Sequence, residues 1–348
     1  MLNEGNNSSF QRSPHISAND SISIRQYTEA FMLGSLPSIP LAPSPTPVEE
    51  LSRLREFLGG GPRLLVKRDD TIGFAFGGNK VRKMRFVAAD ALAQGADTLI
   101  TSGGVQSNHA RVTAAAAAKL GLRCILVANG RAPDRPTANA LLDRLLGAEV
   151  RYVAERADRA PAMDAAADEV RRGGGIPYVI PIGASTPLGA AAFVEAVTEL
   201  AKQTDPPGVI VHSTSSGGTQ AGLVAGCALA GWSTRVIGVS ADESSADLAR
   251  SVHQIIQGLP SLLGLAEDRF NGVEVIVDDR FVGGGYGVST SESTQAIERC
   301  ARTEALFLDP TYTAKAMAGL LARYTSGDFA DVADVLFWHT GGQVALFA

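Results

Sequence analysis

Lys80 stands in the run Gly77-Gly78-Asn79-Lys80-Val81-Arg82-Lys83, and one helix-length and one strand-length segment later comes a second polar run, Ser102-Gly103-Gly104-Val105-Gln106-Ser107-Asn108-His109. An amine that condenses with an aldehyde must be reachable, partly desolvated so that its pKa falls, and placed where backbone can approach closely. A lysine in a glycine-tightened turn meets all three demands. Because an isolated lysine is by default a solvated surface group, the assignment rests on what surrounds it.

A third run, His212-Ser213-Thr214-Ser215-Ser216-Gly217-Gly218-Thr219-Gln220-Ala221-Gly222, follows an apolar strand candidate and opens a helix candidate. Successive backbone N–H groups, the positive end of a helix dipole and several hydroxyls make an anion cradle there. A Ser/Gly turn that merely caps a helix is the plainer reading of the same residues. Neither G-x-x-x-x-G-K-[ST] nor G-x-G-x-x-G occurs, so a nucleotide P-loop and a dinucleotide fold lack their signatures. A phosphate cradle plus a separate lysine points to pyridoxal 5'-phosphate.

The elements that must carry these turns are legible in the apolar pattern. Short Val/Ile/Leu runs recur at Leu64 to Val66, Thr98 to Ile100, Cys124 to Val127, Val150 to Val153, Tyr178 to Ile180, Val209 to Val211, Val236 to Val239, Val273 to Val277 and Val335 to Trp338, with Ala-rich stretches of helical spacing between them. That alternation predicts an α/β fold with mostly parallel sheets covered by helices. Helices are expected over Val112 to Leu122, after Ser107-Asn108 as the N-cap region, and from Ser216-Gly217-Gly218-Thr219 through Ala230. In open α/β sheets such strand-to-helix junctions are where ligands bind.

The 348 residues suffice for two lobes, and 45% hydrophobic with 19% charged residues is a globular balance. A net charge of -5 gives no basic footprint for nucleic acid. Cys124, Cys227 and Cys300 are far apart, and no metal-type spacing joins them to the five histidines, so no metal site and a reducing cytoplasm are expected. No apolar run reaches the roughly 18 residues of a membrane span. Residues 1–25 read as a polar tail, unlike a signal peptide, and the proline-rich stretch Leu36 to Pro47 as an extended entry segment. Ala154 to Ala160 reads as a charged connection between strand and helix. Asp69-Asp70 after Lys67-Arg68 reads as a salt-bridged turn that sets the Lys80 loop. Ser107 and His109, at i and i+2, do not face each other as a hydrolase pair would.

Lys67-Arg68-Asp69-Asp70, Gly77 to Lys83, Gln106 to His109, Gly285-Tyr286-Gly287-Val288, Leu308-Asp309-Pro310-Thr311-Tyr312-Thr313 and His339-Thr340-Gly341-Gly342, in order from about Gln26 onward, resemble the D-cysteine desulfhydrase / 1-aminocyclopropane-1-carboxylate (ACC) deaminase family. The resemblance implies the two-domain tryptophan synthase β-like fold (PLP fold type II), with a large domain from 26–82 and 195–348 and a small one from 83–194. It also implies that Lys80 carries pyridoxal phosphate and shuttles the substrate's Cα proton, that Asn79 and Asn108 contact the cofactor, and that Ser215, Ser216, Gly217, Gly218 and Thr219 hold its phosphate. Ser107, with His109, would bind the substrate carboxylate, and Tyr286 and Tyr312 would flank the substrate and assist proton transfer or leaving-group departure.

Thr340 would face the pyridine nitrogen as a neutral hydroxyl. ACC deaminases carry Glu where Thr313 stands and Leu where Thr340 stands, so Thr313, on the substrate side, and Thr340 place the chain nearer the desulfhydrases. The implied activity is β-elimination from a β-substituted alanine to pyruvate, ammonia and sulfide or another leaving group, in a homodimer. L-cysteate sulfo-lyase, ACC deaminase and a pyridoxal-phosphate-binding paralogue without lyase activity are the alternatives. Ser215, Ser289 and Thr186-Pro187 depart from the family pattern at the phosphate loop and on the substrate side, which leaves the substrate open.

Overall fold

The computed structural model of the protein describes residues 36–41 and 45–348. The tail expected over 1–25, and Pro43 of the entry segment, lie outside these residues. The apolar runs form β2 to β10 of the ten strands among the described residues: β1 (Val48–Glu50), β2 (Arg63–Arg68), β3 (Thr98–Gly104), β4 (Arg123–Asn129), β5 (Glu149–Val153), β6 (Pro177–Val179), β7 (Val209–Thr214), β8 (Arg235–Ser240), β9 (Ile276–Asp278) and β10 (Asp334–His339). The run from Val273 is strand only from Ile276 on. β1 was not anticipated, because three residues with two glutamates carry no strand periodicity.

Two sheets result. One has six strands in the order β1-β2-β10-β7-β8-β9, and the other has four in the order β5-β4-β3-β6. Every pairing is parallel except β1 with β2, where Val48 faces Lys67. β10 lies between β2 and β7, so Leu336 is opposite Leu65 on one side and Ile210 on the other.

Side-chain alternation sorts the strand residues onto two faces. Leu65, Ile210, Val236, Leu336 and Trp338 join the helices Pro187–Leu200, Gly218–Ala230 and Ser245–Gln257 in one core. Leu64, Val66, Val209, Val211, Ile237, Val239, Val335 and Phe337 join the helices Ser291–Glu304 and Thr313–Ser326 in another. The four-stranded sheet divides likewise, with Leu99 and Leu126 on one face and Ile100 and Ile125 on the other. Two-sided burial explains why these strands read as continuous apolar runs.

Local chemistry sets the ends that matter. The alanine-rich helix is Asn108–Leu120; Ser107 is its N-cap, accepting from the Ala110 N–H at 3.2 Å, and Gly121 closes it in the left-handed conformation. Beside the sheet, Asp69 accepts from Arg82 at 2.8 Å and from the Trp338 indole at 2.8 Å, while Arg82 also pairs with Glu199 at 2.9 Å. Arg68 pairs with Asp70 at 2.8 Å. The Asp69-Asp70 turn is thus salt-bridged as expected, and through Arg82 it grips the helix Asn79–Ala93 that begins next to Lys80.

The Lys80 turn meets the end of β10 with no side chain between them. Gly78 has φ 102°, Gly341 has φ 80°, and a Cβ on Gly341 would sit 2.6 Å from the Gly78 Cα. The Asn79 N–H donates to the Thr340 carbonyl at 3.0 Å across this contact. Only glycine permits such an approach.

Among the described residues no helix is long and apolar enough to cross a membrane, and no His/Cys/Asp/Glu group could hold a metal ion. The three cysteines are buried and unpaired, and burial pushes the Cys227 and Cys300 thiols up to about 12.

Candidate active site

The C-terminal ends of β3, β7 and β10 and the turn before the Lys80 helix open onto one cleft. Its wall gathers Asn79, Lys80, Ser107, Asn108, His109, Ser215, Ser216, Gly217, Thr219, Tyr286, Tyr312 and Thr340. These residues come from six separate stretches of sequence, and the parallel strand order delivers them to one edge. Gly218 and Thr313 do not line the cleft. Gly218 donates its N–H to Ser185 Oγ at 3.2 Å. Thr313 is buried behind the wall, where its hydroxyl is engaged with Asp309 at 2.7 Å.

Lys80 is held in a low-dielectric position. Burial, followed by the nearby positive charge of Arg111, lowers its pKa to about 8. Its Nζ is 3.3 Å from Asn79 Oδ1, and Asn79 in turn donates to Thr219 Oγ1 at 3.0 Å, tying the lysine turn to the Ser/Gly loop. Asn108 Oδ1 accepts from Arg111 at 3.0 Å and from Asn139 at 2.9 Å, which fixes its amide orientation.

The Ser/Gly loop ends in the N-terminus of the helix Gly218–Ala230, whose first-turn N–H groups lack intrahelical acceptors. Beneath it lies Lys83, wholly buried, donating to the Gly183 carbonyl at 3.1 Å and reaching Ser185 Oγ at 3.4 Å. Ser185 Oγ continues the chain to Ser216 Oγ at 2.7 Å. A Cβ on Gly218 would meet Lys83 Nζ at 2.7 Å, so glycine there lets the cation sit under the loop. Burial, and then the charge of Lys80, hold Lys83 well below the ordinary lysine value. Thr214, at the start of the loop, has a buried hydroxyl without a partner facing the same cleft. A buried lysine amine, helix N–H groups and an unsatisfied hydroxyl fit a bound phosphate.

The opposite wall carries two phenols. The Tyr312 hydroxyl donates to that of Tyr286 at 2.7 Å, with the rings edge to face at 5.7 Å. Burial raises both phenols above their ordinary value, Tyr312 the further because Tyr286 stands beside it. Asp309 accepts from the N–H groups of Thr311, Tyr312 and Thr313 at 2.8 to 2.9 Å and so pins Tyr312 at its helix end. Lys315 donates to the carbonyls of Ala241, Val282 and Gly285 at 2.8 to 3.0 Å, which shapes the loop that presents Tyr286.

Thr340 Oγ1 and Ser213 Oγ share a hydrogen bond of 2.9 Å, so the group at this end of the cleft is a neutral hydroxyl pair. The buried His109 has Nε2 at 2.9 Å from Thr101 Oγ1 and Nδ1 without a partner, and burial keeps it well below the ordinary histidine value. His339 accepts from the Gly341 N–H at 3.1 Å.

Sequence reasoning missed Lys83, Ser185 and Lys315, which act through contacts far along the chain, and Asp309, which acts on the N–H groups of its own turn. It also missed Arg156 and Arg159, which line the cleft from the segment read as a charged connection. Their signal was the spacing of Arg156 and Arg159 around Glu155 and Asp158, which form a capping box at that turn.

Comparison with known proteins places this geometry in context. A family model described as "Pyridoxal-phosphate dependent enzyme" matches residues 39–341. The chain is 40% identical over 324 residues to a D-cysteine desulfhydrase of Klebsiella pneumoniae, covering 91% of this chain and 97% of that one. It is also 40% identical over 330 residues to a 1-aminocyclopropane-1-carboxylate deaminase of Burkholderia cenocepacia, with the same coverage. Among solved structures, an ACC deaminase homologue superposes with a TM-score of 0.84 at 35% identity, covering 92% of this chain and 96% of that one. A threonine deaminase of Solanum lycopersicum shares the fold at a TM-score of 0.64 and 18% identity.

Proposed function

The chain belongs to the pyridoxal-phosphate dependent enzyme family, and from that membership we propose that it is a β-eliminating lyase acting on a β-substituted alanine in the manner of a D-cysteine desulfhydrase. The observation that carries the choice is the Thr340–Ser213 hydroxyl pair in a cleft that also holds Lys80 and the paired tyrosines. Bound there, pyridoxal 5'-phosphate supplies an aldehyde that condenses with amines and a ring that draws electrons from Cα. The Thr340–Ser213 hydroxyl pair would hold the ring without adding charge and leave that pull mild, which would suit a substrate whose own leaving group carries the electrons away.

In this reading the Ser215–Thr219 loop, the helix behind it and Lys83 hold the phosphate, with Asn79 and Asn108 beside the ring. The lowered pKa of Lys80 leaves part of its amine neutral near pH 7 to 8, so that it could hold the cofactor's aldehyde and take the Cα proton of the substrate. Ser107 already accepts from its own helix, so its hydroxyl proton is free to meet the substrate carboxylate at the helix N-terminus. His109 lines the cleft beside Ser107, and Thr313 acts from behind the wall through its bond to Asp309.

Tyr312 donates to Tyr286, so the Tyr286 proton is uncommitted and available to the leaving group. The raised phenol pKa values keep both groups protonated until they are used. The division into a large unit, 26–82 with 195–348, and a small one, 83–194, belongs to the same reading and is supported by the four-stranded sheet lying between Thr98 and Val179. So do a homodimeric state and a cytoplasmic setting.

The test is a substrate panel with wild type and Lys80→Ala. Wild type should show the visible absorbance of the cofactor and release pyruvate, with sulfide from cysteine enantiomers or sulfite from cysteate. Lys80→Ala should lose both absorbance and turnover. Release of 2-oxobutyrate from ACC without pyruvate from any β-substituted alanine would instead establish the deaminase. A protein that takes up the cofactor yet turns over nothing would be a binding paralogue.

A further inference from the structure

Arg159 opens the helix Arg159–Arg172, is 9% exposed and lies on the wall of the Lys80 cleft. One of its terminal nitrogens donates to Asn129 Oδ1 at the end of β4, and its Nε is buried without a partner. Its neighbour Arg156 is paired with Asp242 at 2.9 Å and Glu243 at 3.4 Å, and lies over the Tyr286 ring at 5.9 Å. Arg159 makes no ion pair with a carboxylate among the described residues, Asp242 attracting it only at longer range, and no Asp or Glu lines the cleft. Burial and the charge of Arg156 hold it below the ordinary arginine value, yet a guanidinium stays charged near neutrality. An unpaired, desolvated cation is costly, and a site retains one where a ligand supplies the missing anion.

Two anions of the proposed reaction already have their receptors, the phosphate at Ser215–Thr219 over Lys83 and the substrate α-carboxylate at Ser107. Arg159 is a further cation, and it lies on the wall that also carries Tyr286 and Tyr312, where the β-substituent of the substrate is expected. We propose that Arg159 is a specificity-determining residue that receives a second substrate anion, a sulfonate or carboxylate carried on the β-substituent. This rests on the lyase reading above. The guanidinium fork matches two oxygens of either group.

For a sulfonate the reaction balances with water as the sole co-reactant. The Cα–H bond breaks with its proton passing to Lys80, the Cβ–S bond breaks with its electron pair leaving on sulfur, and a Cα–Cβ double bond forms. One water then completes the conversion of cysteate to pyruvate, ammonium and hydrogen sulfite.

The test uses the cofactor-loaded enzyme and ligands that lack an amino group and so cannot react: 3-sulfopropanoate, succinate and butanoate, titrated by calorimetry. Wild type should bind one of the dianions at least about tenfold tighter than butanoate, the scale of one charge-assisted pair. Whether the sulfonate or the dicarboxylate leads identifies the oxyanion. Arg159→Gln, with its visible absorbance intact, should bring the preference to within about twofold, and Arg159→Lys should restore part of it. Equal binding of butanoate by wild type, or a preference that survives in Arg159→Gln, overturns the proposal. Pyruvate release from β-chloroalanine by wild type reports the lyase reading alone. An Arg159-dependent preference without pyruvate therefore sinks that reading and not the anion site, and pyruvate without a preference does the reverse.

Discussion

The hydroxyl of Tyr312 donates to that of Tyr286 at 2.7 Å, and Asp309 and Lys315 hold the two phenols in place from behind. The pair is directional. Tyr286 faces the cleft with a free proton, and Tyr312 spends its own on orienting Tyr286. Tyr286→Phe should lower kcat on a thiol-releasing substrate by about a hundredfold or more, the scale of a lost general acid, whereas Tyr312→Phe should cost only about tenfold. The double variant should be no slower than Tyr286→Phe, because one residue acts through the other. Chloride leaves without protonation, so β-chloroalanine turnover should be far less affected; equal losses on both substrates would place the tyrosines in binding instead.

A second expectation concerns pH. Burial and Arg111 lower the Lys80 pKa from 10.5 to about 8. The rate at which cofactor-free protein captures pyridoxal phosphate should rise with pH around a midpoint near 8, followed by stopped-flow absorbance. Arg111→Met should move that midpoint upward. Linkage has a definite sign here: between about 8 and 10.5 the unfolded chain binds the proton that folded Lys80 has lost, so this group makes the cofactor-free protein more stable as pH rises through that window. A midpoint near 10.5 would show that Lys80 is solvated.

A third concerns stability. Asp69 is fully buried and receives Arg82, Thr46 and the Trp338 indole. Asp69→Ala leaves Arg82 with Glu199 as its only carboxylate partner and strands an indole N–H, so it should cost about 3–5 kcal/mol in urea unfolding. Because Arg82 lies in the Lys80 helix, the same variant should bind the cofactor more weakly. Near-wild-type unfolding would mean that Glu199 alone suffices.

Much of this architecture was legible beforehand because burial on both faces writes itself into composition. Strands such as Val209–Thr214 and Asp334–His339 are apolar runs that no amphipathic element would tolerate, and Ser107 announced a cap before an alanine helix. The Ser215–Thr219 loop was legible for a related reason, since only glycine and hydroxyl residues build such a turn. Lys83 was not, because three residues past Lys80 it reads as the next turn of the helix, and its burial depends on Gly218 far downstream. Arg159 was hidden in a charged stretch whose meaning depends on which carboxylates reach it, and local sequence cannot say that Asp242 and Glu243 pair with Arg156 and that no carboxylate pairs with Arg159. β1 was too short to carry a period.

The glycine-to-glycine contact between Gly78 and Gly341 bears on the order in which the site comes into being. β10 is wedged between β2 and β7, so the turn that presents Lys80 cannot settle against Thr340 until segments some 260 residues apart in the chain have met. Such closure is entropically expensive and slow, as it is for any sheet whose central strand comes from far along the sequence. Newly made chains should therefore become yellow late, after most of their helices have formed, and the colour would serve as a clock for the final stage of folding.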